Sequence, residues 1–353
     1  MRLFALATLT PVALIAAAAV FGGAWIVAGF IYMAFLSAGL DAAVRTVTPP
    51  PPDSEFPIAT SLSVVLGIAH FGVLLLVINH LSNAHTSVIG KVGLFSAAGM
   101  FFGQISNSNA HELIHRGGRG LHRLGTWVYI SLLFGHHTSA HVLVHHRHVA
   151  TPLDLSSSRL GESYYRFARR AWIGSFRQGF TAGTDRRARI NAPAYRHLYV
   201  IYVAGAVGFI AAAGLLGGLK AALIYIALAA FSASQLLLSD YVQHYGLRRA
   251  EVNGSYEPVG ARHSWNSPHW FSSAVMLNAP RHSDHHTHPT RPYNALIIPD
   301  DSPMLPFALP VMACLALSPR RWRKVMDPLA AQWSATPKQR RWSISQKLGN
   351  LCI

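Results

Sequence analysis

Six apolar stretches constrain this chain more than any other feature, because each is close to the length that crosses a membrane. An α-helix needs about 20 consecutive apolar residues to span the hydrocarbon core of a bilayer. Only 12% of the residues are charged, which is about half the average for soluble proteins. The sequence therefore predicts an all-α integral membrane protein with six transmembrane helices, at 4–21, 24–40, 57–79, 88–108, 198–217 and 220–239.

Small residues and prolines predict how these helices are connected. Phe21-Gly22-Gly23 separates the first two stretches and Gly217-Gly218 separates the last two, which predicts two tight turns. The segment 41–56 contains Pro49 to Pro52 and three acids, and we expect it to be an irregular loop. Residues 304–318 are apolar but interrupted by prolines, which favours a re-entrant or interfacial segment over a seventh span.

The basic residues predict the orientation in the membrane. Of 30 Lys and Arg residues, 13 lie in 111–197 and another 13 in 241–353. Basic residues are retained in cytoplasmic loops, and an even number of predicted spans precedes each segment. We therefore expect both segments and both termini to be cytoplasmic, in a bacterial-type inner membrane. The net charge of +16 then reflects topology and attraction to anionic lipid or an acidic partner, and not nucleic-acid binding.

The chain has no internal repeat, and we expect a single membrane domain over 1–353. Its catalytic segments, 111–197 and 240–353, are predicted to form a helical cytoplasmic cap. The N-terminal apolar run, Met1 to Val20, has Arg2 as its only basic residue and is followed at once by a second run. This favours a first span over a cleaved signal peptide. Two cysteines, Cys314 and Cys352, are too few for a disulfide framework or a thiolate metal site.

Histidine is the residue that points to chemistry. The chain has 20 histidines, and 17 of them lie at or after position 111. Residues three or four positions apart share one face of a helix, so each cluster is expected to point two or more imidazoles at one place. Eight or nine imidazoles exceed what one ion accepts, which predicts two metal ions. The candidate ligands are His111, His115, His141, His145, His146, His244, His282, His285 and His286.

Other interpretations of these histidines are weaker. A lone histidine is usually structural, and H-E-x-x-H at 111–115 is best known from zinc proteases, which need only one further ligand. We expect the remaining histidines of these regions, such as His136 and His137, to be structural or to support the site. Metal-bound imidazoles usually donate their other N–H to a carboxylate, and we expect this role of Glu112, Asp240 and Asp284, although plain solvated acids remain an alternative.

Longer motifs resemble those of the membrane alkane 1-monooxygenase (alkane hydroxylase) family. The resemblance runs in order across roughly 111–327, and the six-span layout agrees with it. The motifs are H-E-L-I-H-R at 111–116, V-A-T-P-x-D-x-x-S-S-R at 149–159, Y-V-Q-H-Y-G-L-R-R at 241–249, H-S-W-N-S at 263–267, R-H-S-D-H-H-x-x-P-T-R at 281–291 and W-R-K-V-M-D at 322–327.

This resemblance implies a site and a reaction. It implies two non-haem iron ions held by the nine histidines named above, with dioxygen as the oxidant. It also implies electrons from a rubredoxin through a reductase, and no rubredoxin-like cysteine pair occurs here, so the donor is expected to be a separate protein. The expected reaction is terminal hydroxylation of an n-alkane to a primary alcohol, with the apolar substrate arriving from the bilayer.

One motif departs from the family pattern and leaves the substrate open. The usual E-H-x-x-G-H-H is replaced by Ala140-His141-Val142-Leu143-Val144-His145-His146. Relatives with the same histidine pattern hydroxylate the methyl groups of alkyl-aromatics, as in xylene monooxygenase, and fatty-acid desaturases use similar motifs. A non-enzymatic alternative is a His-rich metal transporter, but transporters place their ligands near the bilayer midplane in broken helices.

Overall fold

The computed structural model describes residues 1–43 and 56–334, and these residues are mostly helical. The predicted loop 41–56 lies largely outside them, although its first three residues continue a helix. Cys352 also lies outside the described residues. In chain order the helices are α1 (Arg2–Phe21), α2 (Ala24–Ile31), α3 (Ser37–Ala43), α4 (Phe56–Asn83), α5 (Val88–Phe101), α6 (Asn107–Ile114), α7 (Arg119–Ser131), α8 (His137–Ala140), α9 (His146–His148), α10 (Tyr164–Arg189), α11 (Leu198–His244), α12 (Trp270–Val275), α13 (His282–Thr287), α14 (Leu309–Ala316) and α15 (Pro319–Ser334).

Among the described residues, three π-helical turns join neighbouring helices into longer rods. Tyr32–Leu36 links α2 to α3, Phe102–Ser106 links α5 to α6, and His141–His145 links α8 to α9. π-Helical turns are rare and are frequently found at functional sites. Two of the three lie directly before or within a histidine motif.

Within the described ranges, five helical stretches are long and apolar enough to cross a membrane. They are Arg2–Phe21, Ala24–Ala43, Ala59–Asn83, Val88–Ile114 and Leu198–His244. Two of them extend past the predicted ends at 108 and 239 into the histidine motifs. Because the helices continue through Ile114 and His244, His111 and His244 lie in the last turns of the rods and not in loops beyond them.

The two predicted spans 198–217 and 220–239 lie in one helix, α11, which is broken in its middle. Gly217 (φ −160°, ψ 31°) and Gly218 (φ 66°, ψ −160°) leave the helical region, and a φ of 66° favours glycine because no side chain is present to clash. A straight helix of 47 residues would be about 70 Å long, more than twice the thickness of the hydrocarbon core.

Contacts on both sides of the break show that α11 folds back on itself. The Tyr202 hydroxyl lies 2.8 Å from the Ser139 hydroxyl, and the Tyr225 hydroxyl donates to the Ser131 carbonyl at 2.6 Å. These tyrosines are 23 positions apart, about 35 Å along a straight helix, yet both reach the short segment 131–139. The break therefore acts as the turn of a helical hairpin, at the position that the two glycines predicted.

The interhelical turns meet at one end of the bundle. The Lys220 ammonium donates to the Ser82 carbonyl at 2.6 Å, and His80 Nδ1 lies 2.8 Å from the Ala19 carbonyl. The ends of α1 and α4 and the turn of α11 are thereby brought together. The histidine motifs lie at the opposite end, which places them on a common side of the bundle.

Helix packing is close on the rods that lead to the histidines. A Cβ added to Gly99 would lie 2.3 Å from Cδ1 of Phe231, and one added to Gly103 would lie 2.4 Å from the Gln235 side chain. A Cβ at position 99 would force the Phe231 ring to shift, so Gly99 favours the close packing of α11 against α5, whereas the flexible end of Gln235 could move away from a Cβ at position 103.

The C-terminal helices pack beneath the end of α11. Trp322 is completely buried, with its ring 5.3 Å from Tyr241 and 5.2 Å from Tyr245. The Tyr245 hydroxyl donates to Asp327 at 2.6 Å, so the W-R-K-V-M-D motif anchors α15 to the bundle. The segment 304–318 contains α14, whose eight residues extend about 12 Å, less than the thickness of a bilayer core. A two-stranded antiparallel hairpin, β1 (Glu251–Val252) and β2 (Ser255–Tyr256), lies in the preceding connection.

Candidate metal centre

The structure brings all nine candidate histidines together in two adjacent groups. Within each group the candidate ligand atoms all lie within 4.8 Å of one another. The five-His group consists of His111, His115, His141, His146 and His285. The four-His group consists of His145, His244, His282 and His286.

Ring nitrogens converge closely within the five-His group. His141 Nε2 lies 2.8 Å from His111 Nε2 and 2.9 Å from His146 Nε2. His146 Nε2 lies in turn 3.1 Å from His285 Nε2. The His115 ring is 4.6 Å from that of His146, measured between centroids.

Ring nitrogens also converge in the four-His group, which lies directly beside the five-His group. His282 Nε2 is 3.0 Å from His244 Nε2 and 3.1 Å from His286 Nε2. The His145 ring completes the group, with its centroid 4.8 Å from that of His244. The two groups meet where the rings of His146 and His286 lie 4.7 Å apart.

Each of the three sequence clusters points two imidazoles at one place, as expected, but in the middle cluster they are not the pair four positions apart. His141 and His146, five positions apart, join the five-His group, whereas His145 joins the four-His group. The cause is the π-turn at His141–His145, whose i→i+5 hydrogen bonds bring residues five positions apart onto one face. His111 and His115, four positions apart, share the five-His group as helical spacing predicts.

In the last motif a regular helix divides the ligands. His282 and His286, one turn apart on α13, join the four-His group, and His285 joins the five-His group. Neighbouring residues on an α-helix point about 100° apart. A helix that passes between two sites therefore supplies side chains to both, and α13 does so here.

The donor set fits metal ions and does not fit hydrogen bonding alone. An imidazole nitrogen carries either one proton or one lone pair, so His141 Nε2 cannot bond well to both of its nitrogen neighbours. His115 Nε2 and His145 Nε2 are buried and have no hydrogen-bond partner among the described residues. Metal–imidazole bonds of about 2.0–2.1 Å place adjacent donor nitrogens about 3 Å apart, as found in both groups. The residues present therefore fit two metal ions.

Burial keeps most of these imidazoles in the form that binds metal. Burial, reinforced by the neighbouring imidazoles, lowers the pKa of His115, His141 and His146 well below the ordinary value. It does the same to the pKa of His285 and His286. Neutral imidazole is the species that ligates metals, so these side chains need no deprotonation near pH 7.

Comparison with known proteins places the chain in a family. The family model described as "Fatty acid desaturase" matches residues 88–297, which is more than half of the chain. Alkane 1-monooxygenase 2 of Alcanivorax borkumensis is 33% identical over 270 residues, which cover 75% of this chain and 70% of that protein. The chain belongs to the alkane 1-monooxygenase family.

Further relatives support this placement. Alkane 1-monooxygenase 1 of Pseudomonas aeruginosa is 36% identical over 248 residues, which cover 68% of this chain and 64% of that protein. The xylene/toluene monooxygenase hydroxylase component XylM of Pseudomonas putida is 26% identical over 244 residues, covering 67% of this chain and 64% of that protein. The matched regions thus span about two thirds of the relatives' own lengths.

In this alkane 1-monooxygenase family member, the carboxylate that supports a candidate ligand is one that the sequence analysis did not single out. Asp154 Oδ2 lies 2.8 Å from His145 Nδ1. Burial favours the neutral form of His145, but the Asp154 carboxylate raises the pKa of His145 above its ordinary value. Asp154 is the acid of the V-A-T-P-x-D motif at 149–159. Its position in this motif, close to the cluster at 141–146, is the feature by which the sequence could have identified it.

Two of the three acids expected to support ligands make other bonds. Glu112 forms an ion pair with Arg116 and accepts a hydrogen bond from the Tyr293 N–H at 3.3 Å. Asp284 binds His288 at 2.9 Å and Arg291 at 2.6 Å. Both acids therefore anchor the segment after α13 to the site, and their described hydrogen bonds do not reach the nine histidines.

The third acid faces a cavity that borders both histidine groups. Asp240 is 8% exposed and lines this cavity together with His111 and His282. The other walls are mainly apolar or weakly polar, and include Gly103, Tyr129, Leu236, Met276 and Ala279. His137 also lines it, with its ring stacked on that of His141 at 4.9 Å.

Proposed function

We propose that this protein is a membrane monooxygenase that hydroxylates an unactivated C–H bond with dioxygen, with an n-alkane as substrate and the primary alcohol as product. The observation that carries the proposal is the convergence of nine histidines in two groups, in a chain that is 32–36% identical to seven alkane 1-monooxygenases. The mapping of these histidines as metal ligands belongs to the same proposal.

Two non-haem iron ions would be held by the five-His and four-His groups. When bound, they would supply the oxidising chemistry with dioxygen that protein side chains lack. The chain's own contribution is to position the imidazoles and to keep water away from the metal positions. The end of α6, the π-turn at His141–His145 with α9, the end of α11, and α13 present the imidazoles, and burial of the groups keeps bulk water away from them.

The cavity beside the groups is the proposed place for the reacting end of the substrate. Gly103, Leu236 and Met276 give it apolar walls, and His111 and His141 lie at its inner side. Gly103 and Leu236 belong to helices long and apolar enough to cross the membrane. An alkane dissolved in the bilayer would thus reach the histidines between helices without crossing water, which suits a substrate of very low solubility.

A basic groove on the cap is the proposed docking place of the electron donor. Arg147, Arg177, Arg186 and Arg189 line it, and its floor includes Leu143, Val144 and Leu153. None of these four guanidinium groups has an ion-pair partner among the described acids. Arg147 follows the candidate ligand His146 directly, so a donor here would be close to the metal ions. An acidic electron carrier such as rubredoxin, supplied by its reductase, suits this surface.

We also propose six membrane crossings, with the histidine side and both termini in the cytoplasm of an inner membrane. The break at Gly217–Gly218 supports counting α11 as two crossings. The location of 26 of the 30 Lys and Arg residues in 111–197 and 241–353 supports the orientation, because basic residues favour cytoplasmic loops.

The activity is tested with iron-replete membranes that contain the protein, a rubredoxin and its reductase. Octane, hexadecane and xylene are offered under ¹⁸O-labelled dioxygen, and products are analysed by mass spectrometry. We expect ¹⁸O-labelled 1-alkanols and about two iron ions per chain in the purified protein. Desaturase activity would give an alkene without label, and the absence of any oxygenated product would overturn the proposal.

The assay with xylene tests a second candidate function, the hydroxylation of a methyl group on an alkyl-aromatic substrate. The motif at 140–146 departs from the alkane pattern, and XylM is among the relatives. If labelled methylbenzyl alcohol forms and no alkanol does, the protein is a methyl-group hydroxylase of alkyl-aromatics and the alkane assignment is wrong.

The docking surface is tested by charge reversal. Arg177→Glu with Arg186→Glu should raise the apparent KM for rubredoxin at least tenfold at low salt and leave kcat at saturating donor unchanged. Arg321→Glu, an exposed arginine on α15, is the matched control. Equal effects of the control and the double variant, or no effect of either, would refute this docking site.

A further inference from the structure

The two histidine groups differ in how their surroundings hold them. Among the described residues, Asp154 is the only acid that forms a hydrogen bond with one of the nine histidines, and its partner His145 belongs to the four-His group. The five-His group has no such carboxylate within the same part of the chain. Asp154 is 3% exposed and His145 is 2% exposed, so solvent does not screen the pair.

The turn that follows Asp154 holds its carboxylate in place. The Ser157 hydroxyl donates to Oδ2 at 2.6 Å and the Ser156 N–H donates to Oδ1 at 3.0 Å. Ser157 Oγ also accepts a hydrogen bond from the Ala150 N–H at 2.8 Å. The carboxylate therefore has a fixed direction before any metal binds.

This fixed direction determines which nitrogen of His145 faces the metal position. The hydrogen bond to Asp154 uses Nδ1, which holds the proton of the neutral ring there and leaves the lone pair on Nε2. His145 Nε2 is buried and has no described partner, and the ring packs against His244 and His286. A histidine held in this way is a stronger and better oriented ligand than a free one.

We infer that Asp154 is a positioning residue that acts through His145 on the four-His group alone, so that the two metal positions can be unloaded separately. The inference rests on the proposed function for the presence of two metal ions. The four-His group has one ligand fewer than the five-His group, and the carboxylate behind His145 compensates for it. Without Asp154 the four-His group loses the one carboxylate that orients a ligand through its second ring nitrogen.

The test is metal binding to the purified full-length protein, which needs no activity. Metal is removed with a chelator, and Co²⁺ is titrated in while its visible absorption bands are recorded. The native protein should bind two equivalents. Asp154→Asn should bind one with unchanged affinity and the other 10- to 100-fold more weakly, which is the usual loss when a carboxylate behind a ligand is removed.

Three further variants separate positioning from general stability. Ser157→Ala leaves the carboxylate but loosens it, and should weaken the same equivalent to a smaller extent. Asp154→Glu keeps the charge and should partly restore binding relative to Asp154→Asn. Glu162→Gln is the matched control, because Glu162 binds Arg170 at 2.6 Å and no histidine, and it should leave both equivalents unchanged.

The outcomes distinguish the two proposals. If Asp154→Asn weakens both equivalents alike, or neither, while the native protein binds two, the selective role of Asp154 is wrong and the two-metal site stands. If the native protein itself binds fewer than two ions, the proposed metal centre fails and this inference fails with it. If Asp154→Asn does not fold, the Ser157→Ala titration decides: an effect on one equivalent supports the role, and an equal effect on both, or none, overturns it.

Discussion

Asp284 offers the sharpest test of how the segment after the last histidine motif is held. Its side chain is 2% exposed, and its carboxylate accepts from the guanidinium of Arg291 at 2.6 and 2.7 Å. It also accepts from the Ile297 N–H at 3.0 Å and from His288 Nδ1 at 2.9 Å. One carboxylate thereby ties α13 to residues up to 13 positions later.

Asp284→Asn keeps the size of the side chain and removes its charge. One carboxylate oxygen becomes an NH₂ group, which cannot accept from Ile297 and meets the Arg291 donors unfavourably. Hydrogen bonds to a charged group contribute about 1.5–3 kcal/mol each, and the Arg291 share is reduced because its side chain is 30% exposed and screened by solvent. Taking these contacts together, we expect a loss of about 3 kcal/mol in the free energy of unfolding.

The assay is thermal denaturation of the purified protein in detergent, followed by tryptophan fluorescence. For domains of 150–250 residues 1 kcal/mol shifts the midpoint by about 2–4 °C, and the shift is smaller in a longer chain, so we expect about 5 °C. Asp301→Asn is the matched control, because Asp301 is exposed and has a positive φ of 50°, which asparagine tolerates. A shift for Asp284→Asn no larger than that of the control would refute the anchoring role.

Three further predictions use other parts of the chain. Burial lowers the pKa of His136 to about 3, so the unfolded state binds its proton first as the pH falls below about 6.5, and this residue alone should contribute about 1 kcal/mol to the loss of stability between pH 6.5 and 5.5; His136→Gln should remove that share from the pH dependence of the denaturation midpoint, to which the other buried histidines also contribute. In a background without the other cysteine, the exposed thiol of Cys314 should react with a membrane-impermeant maleimide in inside-out vesicles and not in right-side-out vesicles, and the reverse result would overturn the proposed orientation. Gly99→Ala should lower stability by about 1–3 kcal/mol through overpacking against Phe231, whereas Gly208→Ala, with no atom within 4 Å of the added carbon, should not.

Sequence reasoning found the membrane helices because their physical cause is local. Apolar length alone determines whether a helix can cross a bilayer, and the glycines at 217 and 218 carry their own backbone preference. The helix ends were harder to predict. His111 and His244 are polar, so a hydropathy criterion stops before them, but the helices continue because the bundle and the other histidines bury these last turns.

The set of nine histidines was available from the sequence, whereas their division into two groups was not. The division depends on the phase of the helix at His141–His145, and no residue type in that segment specifies a π-turn. The role of Asp154 was hidden for a different reason. Its nine-residue separation from His145 is bridged by an irregular turn at 149–157, and periodicity predicts contacts only within regular helices.

The wide turn at His141–His145 has a consequence for how insertions and deletions act on this chain. A π-turn is an α-helix with one extra residue, so removing one residue between His141 and His145, such as Val142, would restore ordinary phase. The helix after the deletion would keep its direction, because residues four and five positions after His141 in a π-turn point close to where residues three and four positions after it point in an α-helix. His145 and His146 should therefore stay in their separate groups after this one deletion, whereas removing a second residue would rotate both by about 100° about the helix axis. The number of residues between these histidines is therefore a part of the site, and the wide turn gives it a tolerance of one residue.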